Sequence, residues 1–168
     1  MVFLREIQLT QGQIAFVDDE DYEAISAKKW SVVKSWNNFY ARRYERIDGV
    51  QTIVYMHRLL ANADKNRQVD HKDRNTLNNC KDNLRLCSNT ENSQNRKKRK
   101  TLNPQSEFKG VRPKGGIFLA HIKINGRDHF IGSFKSEHEA AKAYDKAAIQ
   151  HFGEFAHLNF PDAVPMAG

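Results

Sequence analysis

Asp70 and His71 stand side by side at the head of an asparagine-rich stretch, VDHKDRNTLNNCKDNLRLCSNTENSQNR over residues 69–96. Between them they offer the two groups that phosphodiester hydrolysis needs: a base to deprotonate water, and a ligand for a cation that neutralises charge on the phosphate and the leaving oxygen. Neutral imidazole is available near pH 7, so His71 suits the base, while the hard carboxylate oxygens of Asp70 suit Mg²⁺ or Mn²⁺. Adjacent strand residues point to opposite faces, so the pair can serve one site only where the strand ends and the backbone turns. The KDRN that follows supplies such a turn. An imidazole base also needs a fixed tautomer and orientation, which Asn83 at the start of the next strand could provide. A further oxygen ligand could come from Asn92 in the first turn of the following helix, or from Asn95 one turn later. The competing interpretation is a solvated loop, because Asn bonds its own backbone and tolerates left-handed turns.

Those side chains need elements to position them. VDH is read as a strand end, residues 72–82 as a loop and NLRLCS as a second short strand. Ser88 and Glu91 form a capping box, so a helix is expected to begin near Asn89 and to run through ENSQNRKKRKT. Upstream, FLREIQLTQGQIAFV has short apolar runs about Gln11-Gly12, a hairpin pattern. DDEDYEAISAKKW has acids in the first turn of a short helix. Three strands follow, WSVVKS, FYARRYERI and VQTIVYMH, the last two joined by Asp48-Gly49, a strong hairpin signal. Downstream of Pro104, FKGVRPKGGIFLAHIKINGRDHFIGSF reads as three strands. The middle one alternates, with Phe118, Ala120, Ile122 and Ile124 on a core face and Leu119, His121 and Lys123 on the other. A second capping box, Ser136 to Glu139, opens EHEAAKAYDKAAIQHF. Ala140, Tyr144, Ala147, Ala148 and Phe152 repeat there at helical spacing, and Gly153 can end the helix.

The fold class is thus α+β, in a chain of small modules. A strand-rich region occupies residues 1–60, a catalytic unit with a basic helix 61–101, a linker 102–107, a three-stranded sheet with one helix 108–161, and a tail 162–168. With 168 residues, 28% of them charged, and a mean hydropathy of −0.74, several modest cores fit better than one large one.

The net charge of +7 is localised: residues 93–114 hold eight cations against Glu107, and the remainder is near neutral. Such a band points to a polyanion, and phosphate binding is assigned to Arg96, Lys97, Arg99 and Lys100 because they extend from the candidate metal-site helix. Cys80 and Cys87 cannot form a four-cysteine zinc site and read as reduced thiols. No signal-length or membrane-length apolar run is present, so a soluble intracellular protein is expected.

MHRLL at 56–60, VDH at 69–71, DNLR at 82–85 and TENSQN at 90–95 together resemble an HNH nuclease with a ββα-metal fold, of the phage and intron homing-endonuclease kind. The resemblance implies that His71 is the general base, that Asn83 orients it, and that Asp70 and Asn92 bind one Mg²⁺ or Mn²⁺. It implies cleavage leaving 5′-phosphate and 3′-hydroxyl ends. His57 also matches the pattern, with packing or a phosphate contact as its reading. The loop KDRNTLNNCK departs from the family at Arg74, Asn78 and Cys80. Residues 108–160, through FKGVR, FLAHIK, IGSF, the EHEAAKAYDKAA helix and HLNFP, resemble the Apetala-two/ethylene-response-factor DNA-binding module, also found attached to homing nucleases. That family lays its sheet in the major groove, and Lys109, Arg112, Lys114, His121 and Lys123 match its contact positions. Its strand-two acid is His121 here and its tryptophans are Phe118 and Phe130, so no target sequence carries over. The expected partner is double-stranded DNA, cut as a nick or a double-strand break, with no protein partner or membrane implied and possible action as a monomer. Two rivals remain: a non-catalytic DNA-binding regulator, and an RNA-binding or RNA-cleaving protein.

Overall fold

The computed structural model describes residues 4–96 and 106–161. Lys97, Arg99, Lys100, most of the expected linker and the tail from residue 162 lie outside the described residues. The chain forms two compact units, residues 1–89 and 90–168. Mixed helices and antiparallel strands, with strands in the majority, make it an α+β protein.

In the first unit, β1 (Leu4–Gln8) and β2 (Ile14–Asp18) form the expected hairpin, turning through Gln11 and Gly12 at positive φ. Helix α1 (Asp19–Ser26) carries Asp19, Glu20 and Asp21 in its first turn, where the helix dipole favours them. A three-stranded antiparallel sheet follows, in the order β3 (Ser31–Ser35), β4 (Asn38–Ile47), β5 (Val50–Tyr55). Asp48 and Gly49 close the β4–β5 hairpin with φ of 49° and 80°, the left-handed pair that a two-residue turn between twisted strands requires. The strand expected to run to His57 stops at Tyr55. Met56 and His57 instead begin a short helix, α2 (Met56–Leu60), which buries both residues.

One apolar cluster joins these elements: Ile7, Ala15, Val17, Ile25, Trp30, Val32, Ala41 and Met56 are buried together, with Leu77 of the asparagine-rich loop packed against them. The loop is also tied in through its backbone. Phe16 N donates to Leu77 O at 2.8 Å and Asn79 N to Phe16 O at 2.8 Å, while Lys81 N donates to Asp18 Oδ2 at 2.7 Å. The strand-rich region and the asparagine-rich block as far as residue 89, divided at residue 60 on sequence, therefore fall within one unit.

The second unit has a three-stranded antiparallel sheet, ordered β10 (Arg127–Phe134), β9 (Ile117–Ile124), β8 (Val111–Lys114), packed on α4 (Glu137–Phe152). Ala120 and Ile122 are buried on the helix side as the alternation requires, against Ala140, Ala141, Tyr144 and Ala148. Ser136 stands at the helix N-terminus in extended conformation, but its hydroxyl makes no capping bond. Gly153 ends α4 at φ 52°. Buried Asp145 accepts from Asn159 N at 2.8 Å and Phe160 N at 2.9 Å, and Asn159 Oδ1 accepts from Lys109 N at 2.7 Å. These bonds clip the chain after α4 to the entry of β8.

Helix α3 (Asn89–Gln94) begins where the capping box places it but stops at Gln94, well short of Thr101. Its end is met by a cation: Lys109 Nζ donates to the carbonyl of Gln94, the last helical residue, and to Arg96 O just beyond it, both at 2.8 Å. Arg96 consequently lies beyond the helix, exposed, rather than on its face.

Candidate active site

β6 (Gln68–His71) and β7 (Leu84–Cys87) pair antiparallel, setting Asp70 opposite Arg85 and His71 opposite Leu84. The intervening loop is held by its own amides. Asp73 N donates to Asn83 Oδ1 at 3.0 Å, and Asn83 Nδ2 returns to Asp73 Oδ1 at 2.9 Å and to Asn78 O at 2.8 Å. Asn78 Nδ2 reaches Asp73 Oδ2 at 2.7 Å, Asn75 N donates to Asp73 Oδ1 at 2.8 Å, and Thr76 Oγ1 donates to Phe39 O at 2.6 Å. The backbone leaves β6 sharply, with Arg74 N bonded to His71 O at 2.9 Å and Arg74 itself at φ 65°. Asn79 and Asn83 are buried. The amides are thus internal struts, which is why so many are needed where few apolar residues exist.

His71 is buried at the end of β6. Its ring lies among aromatic neighbours, 5.4 Å from His57 and 6.5 Å from Tyr40 between centroids; His57 in turn packs on Tyr40 at 5.4 Å and Tyr55 at 5.6 Å. Burial lowers the His71 pKa, opposed by the Asn79 amide and by Asp73 and Asp70. Burial, then the nearby His71 and Arg58, pushes His57 down to about 3. Both imidazoles are therefore neutral at pH 7, and a neutral imidazole is the form that accepts a proton.

Asp70, also buried, accepts at Oδ2 from Arg85 Nε at 2.9 Å and Nη2 at 2.6 Å. Among the described residues no three His, Cys, Asp or Glu side chains cluster as a metal site. The hard donor beside His71 is the Asp70 carboxylate, and the remaining expected oxygen belongs to Asn92, half-buried on α3 in the second unit. Asn83, expected to orient the imidazole, has its carboxamide engaged by Asp73 and Asn78, so its visible work is to shape the loop. The amide beside His71 is that of Asn79, which the sequence reading passed over because it is one of several in the loop. Arg85 was likewise passed over, although Asp70↔Arg85 pairing follows from the register once β6 and β7 are aligned.

In the second unit, Arg112, Lys114, His121 and Lys123 share the sheet face away from α4, as their register shows. Asp128 joins them there: its Oδ2 is 3.2 Å from Arg112 Nη1 and 3.3 Å from His121 Nδ1. The His121 ring meets Phe130 edge-on at 5.3 Å. Lys109 instead faces the α3 carbonyls.

No family model matches the chain. It is 32% identical over 152 residues to an uncharacterised HNH endonuclease of Acanthamoeba polyphaga mimivirus, a match spanning 89% of this chain and 76% of that protein. Two Arabidopsis thaliana proteins match about a third of the chain: an AP2/ERF and B3 domain-containing transcription factor, 43% identical over 63 residues, and dehydration-responsive element-binding protein 2A, 40% identical over 62. Each of those matches spans 18% of the plant protein. With the viral relative aligned along most of both sequences, the chain belongs to the HNH endonuclease family.

Proposed function

We propose that this protein is a metal-dependent HNH endonuclease that hydrolyses phosphodiester bonds in double-stranded DNA, with residues 108–161 as an Apetala-two/ethylene-response-factor-type sheet that binds the duplex. The observation that carries the reading is a buried, neutral His71 at a strand end beside the carboxylate of Asp70. His71 takes the proton from the attacking water. Its orientation is held by ring packing against Tyr40 and His57, by the Asn79 amide, and by a loop that Asn83 locks through Asp73 and Asn78. Asp70 and Asn92 are the residues that would hold a single Mg²⁺ or Mn²⁺, which supplies neutralisation of the charge on the phosphate and the leaving 3′ oxygen. One carboxylate and one amide oxygen suit Mg²⁺, an ion that keeps several of its waters. Arg85 fixes the direction of the Asp70 carboxylate through Oδ2. Arg112, Lys114, His121 and Lys123 contact DNA from the exposed sheet face, with Arg96, Lys97, Arg99 and Lys100 on phosphates.

The test is plasmid cleavage by the full chain with Mg²⁺, against EDTA and against His71→Ala. Cutting should fall by roughly 100-fold or more in the variant, the usual share of a general base, while duplex binding persists. Undiminished metal-dependent cutting by His71→Ala would refute the assignment. One observation favours a second reading: Arg85 already neutralises Asp70, so the block could be a structural element of a DNA-binding protein that does not cut. The same assay separates the two, since that protein yields binding without product.

A further inference from the structure

The β3–β4–β5 sheet has two unlike faces. One is covered: Val32, Phe39, Ala41 and Val54 pack into the core, and the cation–acid pair on that side, Arg43 Nη2 to Glu45 Oε1 at 3.0 Å, is internal. Residue alternation and register place Tyr40, Arg42, Tyr44 and Arg46 of β4 on the other face, opposite Tyr55, Ile53 and Gln51 of β5. That face carries two arginines and no carboxylate from any of its three strands. Among the described residues neither arginine has an ion-pair partner, and Arg42 lies over the Tyr44 ring with Cζ 5.1 Å from its centroid. Tyr44 is 53% exposed and Ile53 42%, a large apolar display at the end of the face away from His57, which covers the Tyr40 and Tyr55 end. The rings are continuous with the candidate active site: Tyr55 lies 6.4 Å from Tyr40, and both pack on His57, whose ring is 5.4 Å from that of His71.

We infer that this face is a second DNA-binding surface, which holds the strand leading to His71 by placing phosphates on Arg42 and Arg46 and sugars or bases on Tyr44 and the Tyr40–Tyr55 rings. This rests on the reading of the protein as an enzyme of duplex DNA. Its chemistry fits a polyanion with flat faces and little else: arginines without a carboxylate partner among the described residues meet phosphates, and tyrosines stack on any base without regard to sequence. Arg42 and Arg46 are four residues apart, about 13 Å along a strand, which matches the rise of about four nucleotides of one DNA strand. The face therefore grips a short tract beside the scissile bond and contributes affinity rather than target choice.

The experiment measures duplex binding by the full chain as a function of salt, in the His71→Ala background so that substrate survives, and cleavage in the native background. Each phosphate contact contributes about 0.9 to the slope of log affinity against log salt. Arg46→Ala should lower the slope by about 0.9 and Arg42→Ala/Arg46→Ala by about 1.8. Tyr44→Ala should weaken binding roughly 10-fold. Lys34→Ala removes a cation from the covered side of the same sheet and should leave the slope unchanged. Arg46 and Tyr44 are exposed, so their variants keep the core intact. If the protein cuts DNA but these slopes equal that of the parent, the surface is refuted while the nuclease reading stands. If it does not cut but the slopes fall as stated, the nuclease reading fails and the surface stands. Equal slope changes for Arg46→Ala and Lys34→Ala, or tighter binding to duplex RNA than to DNA, would also overturn the inference.

Discussion

An aspartate faces an arginine in both units, under opposite conditions. Asp70 and Arg85 have side chains 8% and 9% exposed, with two N–H groups converging on one oxygen, whereas Asp128 and Arg112 are 45% and 59% exposed at a single 3.2 Å contact. The buried pair has no solvent to exchange with, so it fixes the carboxylate beside His71. The exposed pair is in constant competition with water and ions, and a phosphate or a base edge can displace either partner at little cost. On the proposed function, the group assigned to chemistry is held and the group assigned to a partner is left exchangeable.

The contrast is most sharply tested by acid. His57 has a folded pKa of about 3 against an ordinary 6.5, so between those values the unfolded chain binds a proton that the folded one refuses. Stability should therefore be full above pH 6.5 and fall as pH drops toward 3, by an amount on the order of 5 kcal/mol. Urea unfolding across that window, with His57→Leu flattening the dependence, checks it; an unchanged profile in the variant would remove His57 as the cause. Next in size, Arg85→Ala should cost about 3 kcal/mol in the same assay, because it strips a buried carboxylate of its guanidinium. A loss under 1 kcal/mol would mean that this pair behaves like a surface one. Gly110→Ala comes third, at about 2 kcal/mol: Gly110 sits at φ 79°, and an added Cβ would lie 2.0 Å from Tyr144 Cδ2 and 2.6 Å from His121 O. Smallest is Asp128→Ala, which should change stability by less than about 1 kcal/mol while altering which duplexes are retained from a random-sequence pool. An unchanged selected set would show that Asp128 has no part in reading.

How far the fold was legible depended on the range of the forces. The Asp48-Gly49 turn, the alternation along Ile117–Ile124 and the α4 repeat are local patterns, and each could be read from a window of a few residues. The bonds between Phe16 and Leu77 or Asn79, and between Lys81 and Asp18, join positions some sixty apart in sequence, so the shared core of the strand-rich region and the asparagine-rich loop had no local signature. At the site, Asp70 and His71 stood out because a base and a hard oxygen donor stand together at a strand end that a turn follows. The engagement of Asn83 with Asp73, the closeness of Asn79 to His71 and the guanidinium on Asp70 depend on how a twelve-residue loop closes, and several amides in that loop are chemically interchangeable until it does. The end of α3 was misjudged for a related reason: the cation that terminates it comes from Lys109, beyond the intervening segment.

Lys109 has one more consequence. A salt titration of DNA affinity counts only those cations whose arrival displaces counterions from the duplex. An ammonium already directed at two backbone carbonyls at the end of α3 is absent from that tally, even though it adds to the formal charge of +7. Replacing Lys109 should therefore fray the end of α3 before it alters the ion release, and a count of DNA contacts made from the basic band alone will come out too high.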